Sequence, residues 1–378
     1  MALSPSNGKT VLVTGINGFI GSTIGLLVLS KGYTLRGTTR RLESVRSLLE
    51  GPFKPYADRV AIFEIADMTA ADAYKDAVSG VHGIFHVASP VAFDLCTWDQ
   101  VVEPAVQGTL SLLESAHRHA GGQLRSVVVT SSGTTVVTPA EDAPPGYVFT
   151  ENDQNTWAVP LAKSVPAEFP KSNIGPLMYS ASKVAAEQAM WQFRQDRRPS
   201  FAISSVHPSV VLGPSLNLPR NPQDLNVSLK PIYDIYSGTE STYPPPIGTA
   251  SFVDVRDVAA VHLWALQHPE VADGERYIAS SGFAPTQGMV DVMREQFPPN
   301  SRTAPGEPGK GYVEGIDYCD RRVPVWYPKD RIQMCGTKAH KVMQIRWRTL
   351  AETIQDTVLA FQEFYGQKAG QSKGETDP

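Results

Sequence analysis

Short runs of apolar and β-branched residues recur along most of the chain, separated by stretches with helical spacing of apolar positions. Such runs are typical of strands that are buried on both faces of a parallel sheet. The predicted strands cover residues 10–14, 33–39, 60–66, 83–89, 126–130, 202–211 and 276–279. The predicted helices cover 22–31, 104–119, 184–191, 227–236 and 253–266, with a last helix ending near 365. This alternation predicts the α/β class, with a doubly wound parallel sheet and a smaller C-terminal α/β part.

A glycine-rich turn follows the first predicted strand directly. Its residues are Gly15-Ile16-Asn17-Gly18-Phe19-Ile20-Gly21. Gly15 permits a tight turn, Gly18 lets the backbone approach a pyrophosphate, and Gly21 allows close packing of helix on strand. The first amides of the helix would face the phosphates, so Phe19 and Ile20 are also candidate contacts. In this context the turn predicts a Rossmann-type dinucleotide site, and the alternative is an ordinary turn between a strand and a helix.

The end of the second predicted strand bears on the choice of nucleotide. A site for NAD places an acidic side chain there to hold the ribose 2′-hydroxyl. This chain has no acid at that point and carries Arg40 instead. A guanidinium can hold a 2′-phosphate with two hydrogen bonds and stack on the adenine. We therefore expect NADPH, although Arg40 and Arg41 could simply be a solvated strand end.

Other predicted strands also end in candidate residues, because ligands of open α/β sheets bind at the carboxyl ends of the strands. Asp67 could accept a hydrogen bond from the adenine amino group, or cap a helix that begins near Ala70. The further candidate cofactor contacts are Met68 beside it, Val87, Ala88 and Ser89 after the fourth strand, and Thr130 at the end of the fifth. His86 and His207 are expected to be structural.

Tyr179 and Lys183 lie four residues apart, after a Pro-rich segment and at the predicted start of a helix. Residues at this spacing share a helix face, so the ammonium would lie near the phenol. A nearby cation lowers the pKa of a Tyr from its ordinary value of about 10 and makes the phenol a tunable proton donor. The same spacing occurs by chance in many helices, so this interpretation depends on the upstream motifs.

Composition narrows the classes of partner. The formal net charge of −4 gives no basic surface for nucleic acid. The chain has no apolar run of about 18 residues, which predicts no membrane span, and no apolar core of a signal peptide. Cys96, Cys319 and Cys335 are an odd set without metal-ligand spacing. They favour reduced thiols in a cytoplasmic protein, with no metal site.

Taken together, the motifs resemble the extended short-chain dehydrogenase/reductase family. The matching set, in order, is Thr14-Gly15-x-x-Gly18-x-x-Gly21, Asp67-Met68, Thr130-Ser131-Ser132 and Tyr179-x-x-x-Lys183. The stretches 35–40, 104–109 and 252–259 resemble the dihydroflavonol-reductase-like branch, in particular its fungal and yeast NADPH-dependent aldehyde and ketone reductases. The resemblance covers nearly the whole chain.

The resemblance implies roles for individual residues. Ser132 would be the catalytic hydroxyl, since Ser132-Gly133-Thr134 matches the Ser-x-Thr of the family. Tyr179 would donate the proton, while Lys183 would hold the nicotinamide ribose and lower the pKa of Tyr179. Pro208 and Ser209 would lie along the nicotinamide.

The predicted domain organisation follows the same division. Residues 1–215, with 249–281 returning to them, are expected to form the NADP-binding Rossmann domain. Residues 216–248 and 282–366 would form the substrate-binding part, and 367–378 a disordered tail. A Pro-rich segment between 138 and 176 is expected to loop out near the site. Four aromatic residues suggest an apolar pocket, although such residues more often belong to a core: Phe93, Trp98, Tyr233 and Tyr236.

The predicted function is an NADPH-dependent carbonyl reductase that acts on an aldehyde or ketone of medium size and mostly apolar character, as a monomer or homodimer. A steroid or flavonoid alcohol dehydrogenase of the same family is the nearest alternative. A sugar-nucleotide epimerase or dehydratase is disfavoured, because Arg40 stands where those enzymes resemble NAD users with an acid. A regulator that only senses NADP would need none of Ser132, Tyr179 and Lys183.

Overall fold

The computed structural model describes residues 4–89, 94–138, 143–239, 250–297, 303–321 and 331–371, with the backbone alone for 367–371. The strands are β1 (Thr10–Thr14), β2 (Thr34–Thr39), β3 (Val60–Glu64), β4 (Gly83–His86), β5 (Ser126–Thr130), β6 (Val148–Phe149), β7 (Ala202–Pro208), β8 (Val210–Leu212), β9 (Ser251–Asp254), β10 (Arg276–Ala279), β11 (Gly282–Phe283) and β12 (Gln333–Met334). The helices are α1 (Phe19–Ser30), α2 (Arg46–Glu50), α3 (Lys75–Val78), α4 (Trp98–His119), α5 (Ala158–Lys163), α6 (Lys171–Arg197), α7 (Leu229–Ser237), α8 (Val255–Gln267), α9 (Pro269–Ala272), α10 (Thr286–Gln296), α11 (Thr337–Met343) and α12 (Leu350–Gln371).

Seven parallel strands form the main sheet in the order β3-β2-β1-β4-β5-β7-β10. Side chains of β1 alternate between two cores: Val11 and Val13 pack with α1 and α8, and Leu12 packs with α4 and α6. Both faces of the sheet are thus covered by helices, which explains the continuous apolar runs in its strands. The strand order reverses between β1 and β4, where open α/β sheets bind their ligands. The predicted Rossmann-type fold is confirmed.

Several predicted boundaries differ from those of the structure. Helix α4 begins at Trp98, six residues before Pro104, and α6 begins at Lys171 with Pro176 inside it. Tyr179 therefore lies in the third turn of its helix, well after its start. The predicted sixth strand divides into β7 and β8, because β7 pairs with β5 and β10 while β8 pairs with β9 of a different sheet.

A second core lies outside the main sheet. The strands β11, β9 and β8 form a three-stranded sheet, and apolar residues of α7, α10 and α12 pack together around it. Tyr233 contacts the rings of Phe361 and Tyr365, and Tyr236 contacts the ring of Phe297. These two aromatic residues belong to a core, as does Trp98 in a smaller cluster near α6. Phe93 lies outside the described residues.

The described part of the Pro-rich segment, residues 143–176, contains regular elements where its composition predicts a loop. It contains α5 and the first turns of α6, and its strand β6 pairs with β12. At the other end of the chain, α12 continues to Gln371, into the predicted tail, and 372–378 lies outside the described residues. Within the described ranges, no helix is long and apolar enough to cross a membrane.

Candidate active site

The glycine-rich turn has the shape that its sequence predicts. Gly15 has a positive φ of 66°, and a Cβ there would lie 3.1 Å from the Cα of Ala88. A Cβ on Gly21 would lie 2.3 Å from the carbonyl oxygen of Gly15, so only glycine fits at that point. Gly18 is the N-cap residue of α1, and Phe19 and Ile20 therefore begin the first helical turn. The amides of this turn point outward from the helix end, as anion-binding helices require.

Thr14 connects the turn to the neighbouring strand. Its hydroxyl oxygen accepts hydrogen bonds from the amides of Val87 and Ala88, each at 3.0 Å, and lies 3.0 Å from Nδ1 of His86. Burial lowers the pKa of His86 to about 3, so the imidazole is neutral and serves as a structural partner, as expected. The sequence resemblance includes Thr14, but its bracing of the predicted contacts Val87 and Ala88 becomes visible only in the structure.

The predicted nucleotide-end residues lie at the carboxyl edge of the sheet. Arg40 follows β2 directly and is exposed, with no ion pair to any described residue. Asp67 follows β3 and accepts hydrogen bonds from the amide and hydroxyl of Thr69, which lower the pKa of its carboxyl. No helix begins near Ala70, so the capping alternative for Asp67 is wrong; the carboxylate closes a local turn instead. Met68 packs against Gly108 of α4.

Ser132, Tyr179 and Lys183 come together at the end of β5. Ser132 caps a short 3₁₀ turn, Gly133–Thr135, and its Oγ accepts a hydrogen bond from the amide of Thr134 at 3.3 Å. The hydroxyl of Tyr179 donates to the same Oγ at 3.3 Å. Lys183, one turn further along α6, donates from Nζ to the carbonyl oxygen of Thr130 at 3.3 Å.

The titration of these groups departs from the sequence prediction in one respect. Burial raises the pKa of Tyr179, and the hydrogen bond with Ser132 opposes that shift only in part. The net shift is therefore upward, because burial dominates, and a lowering of this pKa by Lys183 stays a prediction. Burial also lowers the pKa of Lys183 from 10.5 to about 8.

Pro208 and Ser209 lie at the end of β7, the strand next to β5. Pro208 is buried at the last position of the strand, and Ser209 donates its amide to the carbonyl oxygen of Ala279 at 2.9 Å. Since β1, β4, β5 and β7 are adjacent and parallel, the glycine turn, residues 87–89, Ser132 and Pro208 share one edge of the sheet. Ser89 is the last described residue before the gap at 90–93.

The sequence analysis did not identify the residues that support the turn of Ser132 and its contact with α6. Thr134 donates its hydroxyl to Ser180 at 2.7 Å, which joins the turn to α6 beside Tyr179. Asn155 donates its side-chain amide to the carbonyl oxygen of Thr134 at 2.8 Å. Glu187 and Arg276 form a buried ion pair next to the 3₁₀ turn that follows Ser132. Their spacings along the chain match no motif; only the four-residue step from Lys183 to Glu187 on one helix face was available as a signal.

The chain is similar to known reductases in sequence and in fold. The chain is 33% identical to dihydroflavonol 4-reductase of Dianthus caryophyllus over 293 residues, which cover 77% of this chain and 74% of that protein. It is 30% identical to NADPH-dependent methylglyoxal reductase GRE2 of Saccharomyces cerevisiae over 372 residues, covering 95% and 99%. The crystal structure of yeast methylglyoxal/isovaleraldehyde reductase Gre2 complexed with NADPH has a TM-score of 0.76 and 26% identity, with 94% and 99% coverage.

The family described as NAD dependent epimerase/dehydratase matches residues 11–279, which is more than half of the chain. The match spans the main sheet from β1 to β10, with the glycine turn and Ser132, Tyr179 and Lys183 inside it. The predicted resemblance is confirmed: the chain belongs to the NAD dependent epimerase/dehydratase family, among the extended short-chain dehydrogenases/reductases.

Proposed function

We propose that this protein is an NADPH-dependent carbonyl reductase that converts an aldehyde or ketone of medium size and mostly apolar character to an alcohol. The observation that carries the proposal is the hydrogen bond between Tyr179 and Ser132 at the carboxyl edge of a Rossmann sheet, with Lys183 one turn along the same helix. A proton donor, a second hydroxyl and a cation are the groups that reduction of a carbonyl requires.

The residues of the cofactor edge have the chemistry to hold NADPH. The amides at the start of α1 and the close backbone approach at Gly15 suit a pyrophosphate. Arg40, exposed and without an ion pair to the described residues, is available for a 2′-phosphate. Asp67 and Met68 would lie at the adenine, while residues 87–89, Thr130, Pro208 and Ser209 would line the nicotinamide half.

Each catalytic side chain has a distinct role in this reaction. Bound NADPH would supply the hydride to the carbonyl carbon. The hydroxyl of Ser132 already accepts two hydrogen bonds, so its own hydrogen can be donated to the carbonyl oxygen. Tyr179 donates the proton that completes the alcohol; its raised pKa keeps the phenol protonated at neutral pH. Such a positioned acid contributes on the order of 10²–10⁴-fold to the rate. Lys183 would hold the nicotinamide ribose.

The relatives support a reductase more than an epimerase or dehydratase. The yeast relative that aligns over nearly its whole length is named an NADPH-dependent methylglyoxal reductase, and the yeast crystal structure is titled a methylglyoxal/isovaleraldehyde reductase. Isovaleraldehyde is a branched apolar aldehyde, which fits the proposed substrate character. The similarity to dihydroflavonol 4-reductase favours a flavonoid-type alcohol dehydrogenase as the second candidate. Cytoplasmic location, and assembly as a monomer or homodimer, stay predictions.

The first test is the loss of reduced-nicotinamide absorbance with NADPH across a panel of aldehydes, ketones, β-keto esters and dihydroflavonols. We expect turnover of apolar carbonyls in the wild type. Tyr179→Phe should lower kcat by about 10²-fold or more, since the general acid is lost, while the Kd for NADPH stays within about twofold. Turnover of dihydroflavonols alone would favour the second candidate. NADPH binding without any turnover would point to a sensor, and a fully active Tyr179→Phe would refute the proposed acid.

A second test addresses the nucleotide. Arg40→Ala should raise the KM for NADPH by roughly ten- to a hundredfold, because a hydrogen bond to a charged group contributes about 1.5–3 kcal/mol. The KM for NADH should change little, since NADH has no 2′-phosphate. Arg46→Ala is a suitable control, because Arg46 pairs with Glu43 and Glu50 on the surface. Equal effects of Arg40→Ala on both nucleotides would exclude a phosphate role.

A further inference from the structure

The proposed mechanism does not use a cluster of buried polar side chains next to the turn of Ser132, formed around Glu187 and Arg276. Glu187 lies on the same face of α6, eight residues after Tyr179 and four after Lys183, and is 7% exposed. Its carboxylate accepts hydrogen bonds from Nε of Arg276 at 2.8 Å and from the hydroxyl of Ser131 at 3.1 Å. The buried carboxylate of Glu187 is thus bound to Ser131, the residue next to Ser132.

Arg276 is the cation that balances this carboxylate. Burial lowers the pKa of the adjacent His207 to about 4, so that imidazole is neutral at neutral pH. The side chain of Arg276 is 13% exposed, and its bond to Glu187 crosses from the edge strand β10 to α6. A buried charge left without its partner is costly, so each member of this pair depends on the other.

The same guanidinium reaches the turn that carries Ser132. Its Nη2 lies 3.4 Å from both the carbonyl oxygen and the hydroxyl of Thr135. The hydroxyl of Thr135 in turn donates to the carbonyl oxygen of Ser132 at 2.8 Å. A chain of hydrogen bonds therefore connects Arg276 to the backbone of Ser132 through one residue.

Arg276 also holds the segment that supports the turn from its other side. Its Nη1 donates to the carbonyl oxygens of Glu151 and Asp153, at 2.8 and 2.6 Å. Two residues later, Asn155 donates its side chain to the carbonyl oxygen of Thr134 and its backbone amide to that of Thr135, each at 2.8 Å. The 3₁₀ turn is thus fixed between α6 and the 150–155 segment, and one guanidinium contacts both.

We propose that Arg276 is a positioning residue: paired with Glu187, it fixes the turn of Ser132 against the helix of Tyr179. The 3.3 Å hydrogen bond between Ser132 and Tyr179 joins two elements that Arg276 holds together. Its consequence for turnover rests on the proposed function, whereas its consequence for the rigidity of the turn does not.

The test compares Arg276→Met with two other variants. Arg276→Met should lower kcat about ten- to a hundredfold, the scale of a misplacement of about 1 Å at a reacting centre. The Kd for NADPH and the KM for the carbonyl should move much less than kcat, because the side chain of Arg276 bonds to none of the residues proposed to hold NADPH. Arg276→Lys keeps the charge and should recover part of kcat. Arg194→Met is the matched control, since Arg194 pairs with Asp273 on the surface between α6 and the 269–275 segment.

A second variant separates positioning from folding. In Arg276→Met with Glu187→Gln no carboxylate is buried without its cation, so the melting temperature should recover while kcat stays low. Hydrogen exchange of the backbone amides in residues 131–137 should become faster in Arg276→Met, both alone and combined with Glu187→Gln. It should not become faster in Arg194→Met. Unchanged exchange, or a kcat close to that of the wild type, would overturn the proposal. A wild type that reduces no carbonyl would refute the proposed function alone, because the exchange measurement would still decide the positioning role.

Discussion

The burial of Lys183 has a cost in stability. The residue is 7% exposed, and burial lowers the pKa of its ammonium from 10.5 to about 8. At pH 7 the folded protein must keep this buried group charged, which costs about 3 kcal/mol relative to the unfolded chain. In the proposed reaction, Lys183 would thus hold the nicotinamide ribose at the expense of the free energy of unfolding.

Lys183→Met should accordingly be inactive but more stable, with a free energy of unfolding at pH 7 that is roughly 1–3 kcal/mol higher. Because the folded-state pKa lies below the unfolded one, the unfolded chain binds more protons between about pH 8 and 10.5. This group thus makes the wild type more stable as the pH rises through that range, and the variant should lack the increase. Urea unfolding at pH 7 and 10 measures both effects. Lys171→Met, at an exposed position of α6, is the control; equal stability of the two variants would contradict the expectation.

Single residues could be predicted from the sequence where a local rule decides them. Neighbours within a few positions decide the shape of the glycine-rich turn, the place of Arg40 at the end of β2, and the shared helix face of Tyr179 and Lys183. The direction of the pKa shift of Tyr179 could not be predicted, because it depends on the burial of the hydroxyl by distant parts of the chain. Arg276 and Glu187 are 89 residues apart and meet only in the folded sheet.

At the scale of elements, the strands of the main sheet were predicted well, whereas the short strands β6, β9, β11 and β12 were not predicted and the helix starts were predicted poorly. A proline in a helix interior removes one backbone hydrogen bond and costs about 3 kcal/mol, so the sequence predicted a helix that begins at Pro104. Burial of Val101 and Val102 offsets that cost, since each buried side chain contributes about 1.5–3 kcal/mol. Both residues are almost fully buried in the turn before Pro104. Such packing depends on tertiary structure and leaves no periodic signal over one turn.

One loop residue connects elements that the sequence places in different parts. Asn217 donates its side-chain amide to the carbonyl oxygens of Asn17 in the glycine-rich turn, at 2.8 Å, and of Ser44 after β2, at 3.2 Å. It also accepts from the hydroxyl of Ser47 at 2.5 Å. The predicted domain boundary at 215 placed Asn217 outside the cofactor domain, yet its hydrogen bonds brace the turn that would hold the pyrophosphate.

Asn217→Ala should weaken NADPH binding about three- to tenfold, since each lost hydrogen bond is worth about 0.5–1.5 kcal/mol net. The affinity falls because the glycine-rich turn, without these hydrogen bonds, is less ordered in the free variant and must become ordered when NADPH binds. Quenching of Trp fluorescence by NADPH gives the Kd. Asn221→Ala is a matched control. Asn221 lies four residues after Asn217, and its side chain caps the short 3₁₀ turn that follows it directly. A Kd for Asn217→Ala equal to that of the control would exclude this role.

At the scale of the whole molecule, the start of α8 joins the two hydrophobic cores. The apolar face of α8 packs in the core with α1, whereas α12 belongs to the core with α7 and α10. Asp254 caps α8 and pairs with Arg256, which also pairs with Asp356 of α12 at 2.6 Å. Asp257, in the first turn of α8, accepts hydrogen bonds from the backbone amide and the guanidinium of Arg348, just before α12.

Loss of the Arg348 pair should therefore destabilise the whole protein in a manner that depends on pH. Burial raises the pKa of Asp257 from 3.8 to about 6, even though Arg348 opposes that shift. Arg348→Met removes the opposition, so the folded-state pKa rises further while the unfolded one does not change. Because a raised carboxyl pKa favours the folded state at low pH, the stability lost should be small at pH 5 and larger at pH 7.

We expect a loss of roughly 2 kcal/mol in the free energy of unfolding at pH 7, below the usual cost of breaking a buried pair because Arg348 is partly exposed. Guanidinium chloride unfolding at pH 5 and pH 7 measures the difference. Arg346→Met is the control, since Arg346 pairs with Glu352 at the surface and should show no such dependence. In an Asp257→Asn background, Arg348→Met should cost the same at pH 5 and pH 7, because position 257 then has no carboxyl to titrate. A loss that is independent of pH in Arg348→Met would mean that packing, and not the charge of Asp257, couples the two cores.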